Sequence, residues 1–261
     1  MAIHDAFARL TPYELSFPDL AFARAHFDAI REEAEARGTD LGDPTAFVLL
    51  AAAGQALQEI RGTDDDPALI RQYGALLYHA FHFHAAGEPL VLVRAAALRP
   101  LLDGHGGREG WVPALDPPAG YAQLPQHLVW VRALEGDPPE SLDGFFWTRA
   151  SEGRFGLLLA LGMRGERPGV SVVPLDDLPV EDADGWTRMQ MREGGEDFAS
   201  SLPGSELEGL YELQSAGEAL KLAARVLAAL DGAGMSTRVP PDPDAHGARP
   251  SALSYRILDA P

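Results

Sequence analysis

The segment PALIRQYGALLYHAFHFHAAG, residues 67–87, constrains the fold more than any other part of this sequence. Asp66 supplies a helix cap, Pro67 suits the first helical position, and Gly87 stands where a helix would end. Between these signals the apolar residues recur at helical spacing. We therefore predict one long helix here, with a broad apolar face that packs against the rest of the chain.

Three of the eight histidines in the chain, His79, His82 and His84, lie within this predicted helix. At about 100° per residue, His84 falls inside the apolar stripe, whereas His79 and His82 fall on the opposite side. Three such rings point in divergent directions and cannot hold one metal ion. In a strand, His82 and His84 would instead share a face, but the helical periodicity argues against a strand.

The face of this helix that carries His79 and His82 is poor in charge. Tyr78 and Ala75 share that face, and Arg71 is its only permanently charged residue. A helix face exposed to solvent usually holds several Glu, Lys or Arg side chains. We therefore expect the helix to be covered on both sides, by the remainder of the fold or by a partner.

Two further helices are predicted before this one. Ser16 stands three residues before Asp19, as in a capping box, and predicts a helix that ends at Gly38. Asp43, which is followed by proline, predicts a second helix that ends near Gly62. The first third of the chain therefore reads as a helical lobe.

The pattern changes after this lobe to short apolar runs joined by turns rich in glycine and proline. EPLVLV, QHLVWVRA, DGFFWTRA, FGLLLALGM and GVSVVPL read as strands, and their short links favour an antiparallel sheet. The run from Phe155 to Met163 is apolar on both faces, which predicts a central strand that is covered on both sides. SYRILDA near the end of the chain is expected to return as an edge strand.

These elements predict an α+β fold in which a helical N-terminal lobe packs on a mostly antiparallel sheet, a meander, covered by C-terminal helices. We expect residues 1–261 to form a single globular unit. Its mainly helical lobe would span 1–105, the sheet and C-terminal helices 106–235, and an extended loop 236–250. The C-terminal helices, at about 205–231, would cover one face of the sheet.

Composition excludes several classes of function. The 39 acidic and 21 basic residues give a formal net charge of −18, so the chain would repel nucleic-acid phosphates and anionic membranes. The absence of cysteine excludes disulfides, thiolate catalysis and cysteine-ligated metal. With no apolar stretch of about 18 residues and no signal-peptide pattern, we expect a soluble cytoplasmic protein. Abundant Ala, Gly, Pro and Arg, with Lys221 the only lysine, are typical of a GC-rich, bacterial genome.

No catalytic motif is complete in this sequence. It contains no Walker loop, no H-E-x-x-H and no G-x-S-x-G, and the glycines of GHGGREG miss the dinucleotide spacing. VEDADG resembles the start of a calcium loop, but Met191 stands where that loop needs glutamate. We therefore expect no cofactor and no dedicated metal site.

Two predicted strands carry tryptophan and arginine at alternate positions. Trp130 and Arg132 are two residues apart on one strand, and so are Trp147 and Arg149 on the next, so each pair shares a face. If the strands pair in a hairpin, they form a Trp/Arg patch. Cross-strand packing and a protein-binding surface both account for such a patch.

The sequence favours a non-enzymatic role: a subunit that binds another protein or assembles with itself. The candidate partner surface consists of Tyr78, His79, His82, Trp130, Arg132, Trp147 and Arg149. The alternative is a metal-assisted hydrolase that uses His79 and His82 with carboxylates from elsewhere in the fold. A third possibility is a small-ligand pocket between the lobes. His79 and His82 could also be purely structural, or form a pH-sensitive contact.

Overall fold

The structure, a computed structural model, contains helices packed on a sheet and so confirms the α+β class. It describes residues 5–17, 19–62, 65–102, 116–131, 140–149, 154–162, 170–171, 178–179, 211–213, 216–231, 236–241 and 250–259. The described helices are α1 (Pro12–Ser16), α2 (Leu20–Arg37), α3 (Pro44–Val48), α4 (Ala51–Arg61), α5 (Pro67–Ala85), α6 (Ala95–Leu102) and α7 (Ala216–Asp231). The described strands are β1 (Leu90–Val93), β2 (Ala119–Gln123), β3 (Val129–Val131), β4 (Glu140–Arg149), β5 (Arg154–Leu161), β6 (Val170–Ser171), β7 (Leu178–Pro179), β8 (Tyr211–Leu213) and β9 (Tyr255–Leu258).

The sheet is mixed, so the predicted antiparallel meander is not confirmed. Its main path runs β6-β5-β4-β2-β1-β9, with β3 joined to β4 and β8, and β7 joined to β5. The β1 strand is parallel to both of its neighbours, β2 and β9, whereas the pairs β2/β4, β4/β5 and β5/β6 are antiparallel. Helix α6 lies between β1 and β2 in the chain, and such a crossover is what lets consecutive strands run parallel.

The helix starts match the predicted caps only in part. Asp43 caps α3 through the amide of Thr45, and Gly38 ends α2 in the left-handed conformation, as predicted. The prediction of a capping box at Ser16 was wrong, because Asp19 caps α2 and Ser16 is the last residue of α1. The described capping box lies earlier, where Thr11 and Glu14 exchange hydrogen bonds at the start of α1.

The predicted single helix between Asp43 and Gly62 is divided into α3 and α4. The chain leaves the helical conformation at Leu50, whose own side chain caps nothing. The Glu33 carboxylate of α2 accepts the amides of Ala51 and Ala52 instead, at 3.0 and 2.7 Å. The break depends on a cap that a distant helix supplies, and no glycine or proline marks it in the sequence.

Of the C-terminal helices predicted at about 205–231, the described residues contain one, α7. Residues 201–210 lie outside the described residues, and Tyr211–Leu213 forms the strand β8, which runs parallel to β3. Helix α7 begins at Ala216. Pairing with β3 satisfies the backbone of this short segment in the sheet, which local helical periodicity does not reveal.

The sheet separates two hydrophobic cores. One face packs against α1 to α5, and the other packs against α6 and α7. The β5 strand shows the division directly, because Leu158 and Ala160 join the first core while Leu157, Leu159 and Leu161 join the second. The prediction that this strand is covered on both faces is confirmed.

Gly120 of β2 is predicted to be essential for packing in the second core. A Cβ atom at this position would overlap the indole ring of Trp147 on β4. Because both residues are buried, the ring has little room to move. We expect Gly120→Ala to lower the free energy of unfolding by roughly 1 to 3 kcal/mol in urea denaturation.

The matched control is Gly54→Ala in α4. No atom lies within 4 Å of a Cβ built on Gly54, and the residue is inside a helix. We expect this change to raise the free energy of unfolding by about 0.5 to 1 kcal/mol, because alanine is the better helix former. Equal effects of the two substitutions would contradict the packing assigned to Gly120.

Candidate functional site

Helix α5 is covered on both sides by the chain itself. It contacts α1, α3 and α4 as well as the strands β2, β4, β5 and β6. Phe81 and Phe83 are buried on one side, and Tyr78 and His79 are also buried, at 3% and 4% exposure. The face that was predicted to be covered therefore packs against other parts of the same fold at Tyr78 and His79, whereas Arg71 on this face is exposed.

His79 points into the sheet. Its Nδ1 atom lies 2.9 Å from the hydroxyl oxygen of Thr148 on β4, and its ring stacks on Phe146 with centroids 6.2 Å apart. Gly156 of β5 leaves room for the imidazole, since a Cβ there would come within 3.3 Å of the ring. The ring is held in place by the sheet as a neutral group.

His82 points away from the sheet, toward the chain that precedes α3. Its Nε2 donates to the carbonyl of Leu41 at 2.9 Å, and the ring makes an edge contact with Tyr78, whose hydroxyl donates to the carbonyl of Gly42. His82 and Tyr78 therefore fix this turn onto α5. Burial lowers the pKa of His82 below its ordinary value.

His84 takes a third direction, toward α1 and α2. Its Nδ1 donates to the carboxylate of Glu88 at 2.8 Å, and the same carboxylate accepts the hydroxyl of Tyr13 at 3.0 Å. The ring also packs between Tyr13 and Phe27. These bonds, that from His84 above all, hold the pKa of Glu88 below its usual range.

The three imidazoles therefore diverge, each with its own hydrogen-bond partner. Within the described residues, no group of three or more His, Asp or Glu side chains is arranged to hold a metal ion. His79 and His82 bind a hydroxyl and a carbonyl on different elements, and neither pairs with a carboxylate in these bonds. His79 and His82 therefore point to different elements of the described structure.

The two Trp/Arg strands do not form the expected hairpin patch. In the described register Trp130 lies opposite Ser141, while Trp147 lies opposite Gly120 and Leu157. Trp147 is six residues beyond Ser141 on β4, a separation of about 20 Å along an extended strand. The long strand β4 pairs with β3 at one end and with β2 along the rest, so the two tryptophans are separated.

The remaining members of the predicted surface have different environments. Trp147 is buried and its indole N–H donates to the carbonyl of Pro117, whereas Trp130 is half-buried and stacks on His127. Arg149 is exposed at the end of β4. Arg132 lies outside the described residues. The six members that the structure describes therefore do not meet on one surface.

A buried polar network that sequence reasoning missed joins the two ends of the chain to the sheet. The carboxylate of Glu14 accepts hydrogen bonds from the amides of Thr11 and Ala252 and from the hydroxyl of Ser251. Burial nevertheless raises the pKa of Glu14 above its ordinary value. The Thr11 and Glu14 spacing was a readable capping signal, but nothing local indicated the contact with Ser251.

A second part of this network binds the N-terminal segment to β2. The backbone N–H of Arg9 donates to the side-chain oxygen of Gln123 at 2.7 Å, and the Gln123 amide donates back to the carbonyl of Arg9 at 2.9 Å. The guanidinium of Arg9 donates to the carbonyl of Leu124. These bonds satisfy buried polar groups and indicate a structural role.

The junction of α3 and α4 exposes two large aliphatic side chains. Phe47 and Leu50 are buried, so the residues between them are turned outward, with Val48 at 47% and Leu49 at 74% exposure. We call Val48 and Leu49 the apolar corner. The sequence did not predict this corner, because FVLL was assigned to one continuous amphipathic helix.

Within the described residues, no helix is both long and apolar enough to cross a membrane. No protein-family model matches the sequence, and no curated protein matches it. A comparison with solved structures finds "Crystal structure of AcrVA2", at 8% sequence identity, with 92% of this chain and 95% of that chain covered and a TM-score of 0.34. A likeness at this TM-score carries no argument about function.

The burial of His79 predicts a dependence of stability on pH. Burial, aided by the charge of His82, lowers the pKa of His79 from 6.5 to about 3. As the pH falls below 6.5, the unfolded chain therefore binds a proton at this residue that the folded chain does not, and folding loses stability. We expect His79→Gln to make the slope of unfolding free energy between about pH 6 and pH 4 shallower by roughly 1.4 kcal/mol per unit.

The matched control is Thr148→Val, which removes the hydrogen-bond partner of His79 and keeps the imidazole buried. We expect it to cost about 1 to 3 kcal/mol at every pH and to leave the slope unchanged. Urea denaturation at each pH measures both quantities. An unaltered slope in the His79→Gln variant would show that this residue is not held neutral by the fold.

Proposed function

We propose that the protein is a non-enzymatic subunit that binds another protein or assembles with a second copy of itself. The observation that carries this proposal is the apolar corner of Val48 and Leu49. The predicted partner residues Tyr78, His79 and His82 form hydrogen bonds to other elements of the same fold. We therefore propose the apolar corner as the contact surface instead.

The exposure of Leu49 supports this assignment on energetic grounds. A leucine transferred from water to a packed environment contributes about 1.5 to 3 kcal/mol, so a side chain left 74% exposed retains most of that free energy for an interface. Two aliphatic residues do not cover the roughly 800 Å² that a stable interface takes from each partner. The corner would therefore serve as the anchor at the centre of a larger contact.

The charge of the chain sets the conditions under which self-assembly would occur. Each copy carries a formal charge of −18, so two copies repel each other at low ionic strength. Salt screens this repulsion, with a Debye length of about 10 Å at 0.1 M, and leaves apolar contact intact. Association through the corner should therefore strengthen as salt is added.

We expect the wild-type chain to sediment as a dimer or larger assembly that dissociates on dilution, and Leu49→Glu to weaken this association by tenfold or more. A buried charge at the centre of an apolar contact costs roughly 1.4 kcal/mol at the least, which corresponds to that factor. Sedimentation velocity over a range of concentrations and salt measures it.

The control is Phe22→Glu, a comparable change at an exposed aromatic residue on the first turn of α2. It should leave association unchanged. The partner-binding form of the proposal is tested by recovery of a defined complex from native lysate with the wild-type chain, Leu49→Glu and Phe22→Glu. A strict monomer at all concentrations, with no complex lost specifically on Leu49→Glu, would rule out the proposed contact.

A further inference from the structure

A cavity of about 720 Å³ opens where β1 and β9 begin and α7 ends. Its walls include Val91 of β1, Trp147 of β4 and Leu227 of α7. Arg238 and Arg256 contribute the basic side chains. The volume lies within the range of about 300 to 1,000 Å³ that is typical of small-molecule sites.

Part of the cavity lining is apolar and part is polar. Leu227 and Leu230 come from the end of α7, and Val91 and Trp147 belong to the same hydrophobic core. The indole N–H of Trp147 already donates to the carbonyl of Pro117 at 3.2 Å, so that donor is engaged. The apolar part of the lining therefore suits an aromatic or branched aliphatic group.

The basic wall is formed by two exposed arginines from separate parts of the chain. Arg256 of β9 stands next to Val91 in the parallel register, and Arg238 directly precedes Val239, which pairs with Tyr255. In the part of the chain that the structure describes, neither guanidinium forms an ion pair. Two such groups in a chain of charge −18 attract an anion locally.

The acidic groups at the cavity limit the charge of that anion. The Glu88 carboxylate is engaged with His84 and Tyr13, whereas Asp116 is exposed at the wall. The carbonyl end of α7 also carries partial negative charge. A ligand would therefore place its apolar body near α7 and a single acidic group at the arginines.

We propose that this cavity binds a small organic acid with one carboxylate and an aromatic or branched aliphatic body. The carboxylate is held by Arg238 and Arg256, and the apolar body packs on Trp147, Leu227 and Leu230. This site is separate from the apolar corner at Leu49 and goes beyond the function proposed above.

The test uses indole-3-acetate and 3-phenylpropionate as probes, with their uncharged amides as matched ligands, in isothermal titration calorimetry of the full chain. We expect at least one of the two acids to bind saturably, with a dissociation constant below about 1 mM. We expect its affinity to exceed that of its amide by roughly tenfold or more, since charge-assisted hydrogen bonds are lost in the amide.

Two substitutions in the cavity and two control substitutions elsewhere test whether the acid binds at this site. Arg238→Gln and Arg256→Gln should each weaken binding of the acid by roughly tenfold, because both side chains are exposed and their loss leaves the fold intact. Arg31→Gln on the exposed surface of α2 should leave the affinity unchanged, as should Leu49→Glu. The last result separates this inference from the self-assembly proposal.

Three results would each overturn the inference. The first is that neither acid shows saturable binding; the second is that the amides bind as tightly as the acids. The third is that Arg238→Gln and Arg256→Gln bind like the wild-type chain.

Discussion

The packing of α5 between the sheet and the N-terminal helices is the constraint on which the rest of the structure depends. His79 anchors one side of this helix to Thr148 of β4, and His82 with Tyr78 fixes the turn before α3 on another side. A polar ring inside a core must find a hydrogen-bond partner, so these contacts select one rotation of α5 about its axis. The histidine-rich segment is therefore a structural centre of the fold.

The positions of both chain ends follow from a second requirement, that buried carboxylates and amides be satisfied. The Glu14 carboxylate accepts hydrogen bonds from Ser251 and Ala252 of the C-terminal segment, and the backbone N–H of Arg9 donates to the side chain of Gln123 on β2. These bonds bring the C-terminal segment beside α1 just before β9 pairs with β1. The edge formed in this way, together with the end of α7, defines the cavity that carries Arg238 and Arg256.

Much of the fold could be predicted from local signals, and the errors share one cause. The helix α5, the cap at Asp43 and the doubly covered strand β5 were readable because each depends on residues close together in the chain. The break between α3 and α4 was not readable, because its cap comes from Glu33 on another helix. The prediction of a Trp/Arg patch was wrong for the same reason. The neighbours of each strand depend on pairing across the sheet, between residues that are distant in the chain.

The sequence by itself determined the α+β fold class and the divergent directions of the three imidazoles. It also determined the negative net charge, which makes two copies of the chain repel each other. These properties follow from composition and from the fixed angle between successive residues of a helix. Only the tertiary structure decided that the His79 face is interior, that Leu49 is exposed and that two arginines meet at one cavity. Exposure and proximity depend on which distant elements cover a residue, and no local pattern encodes that arrangement.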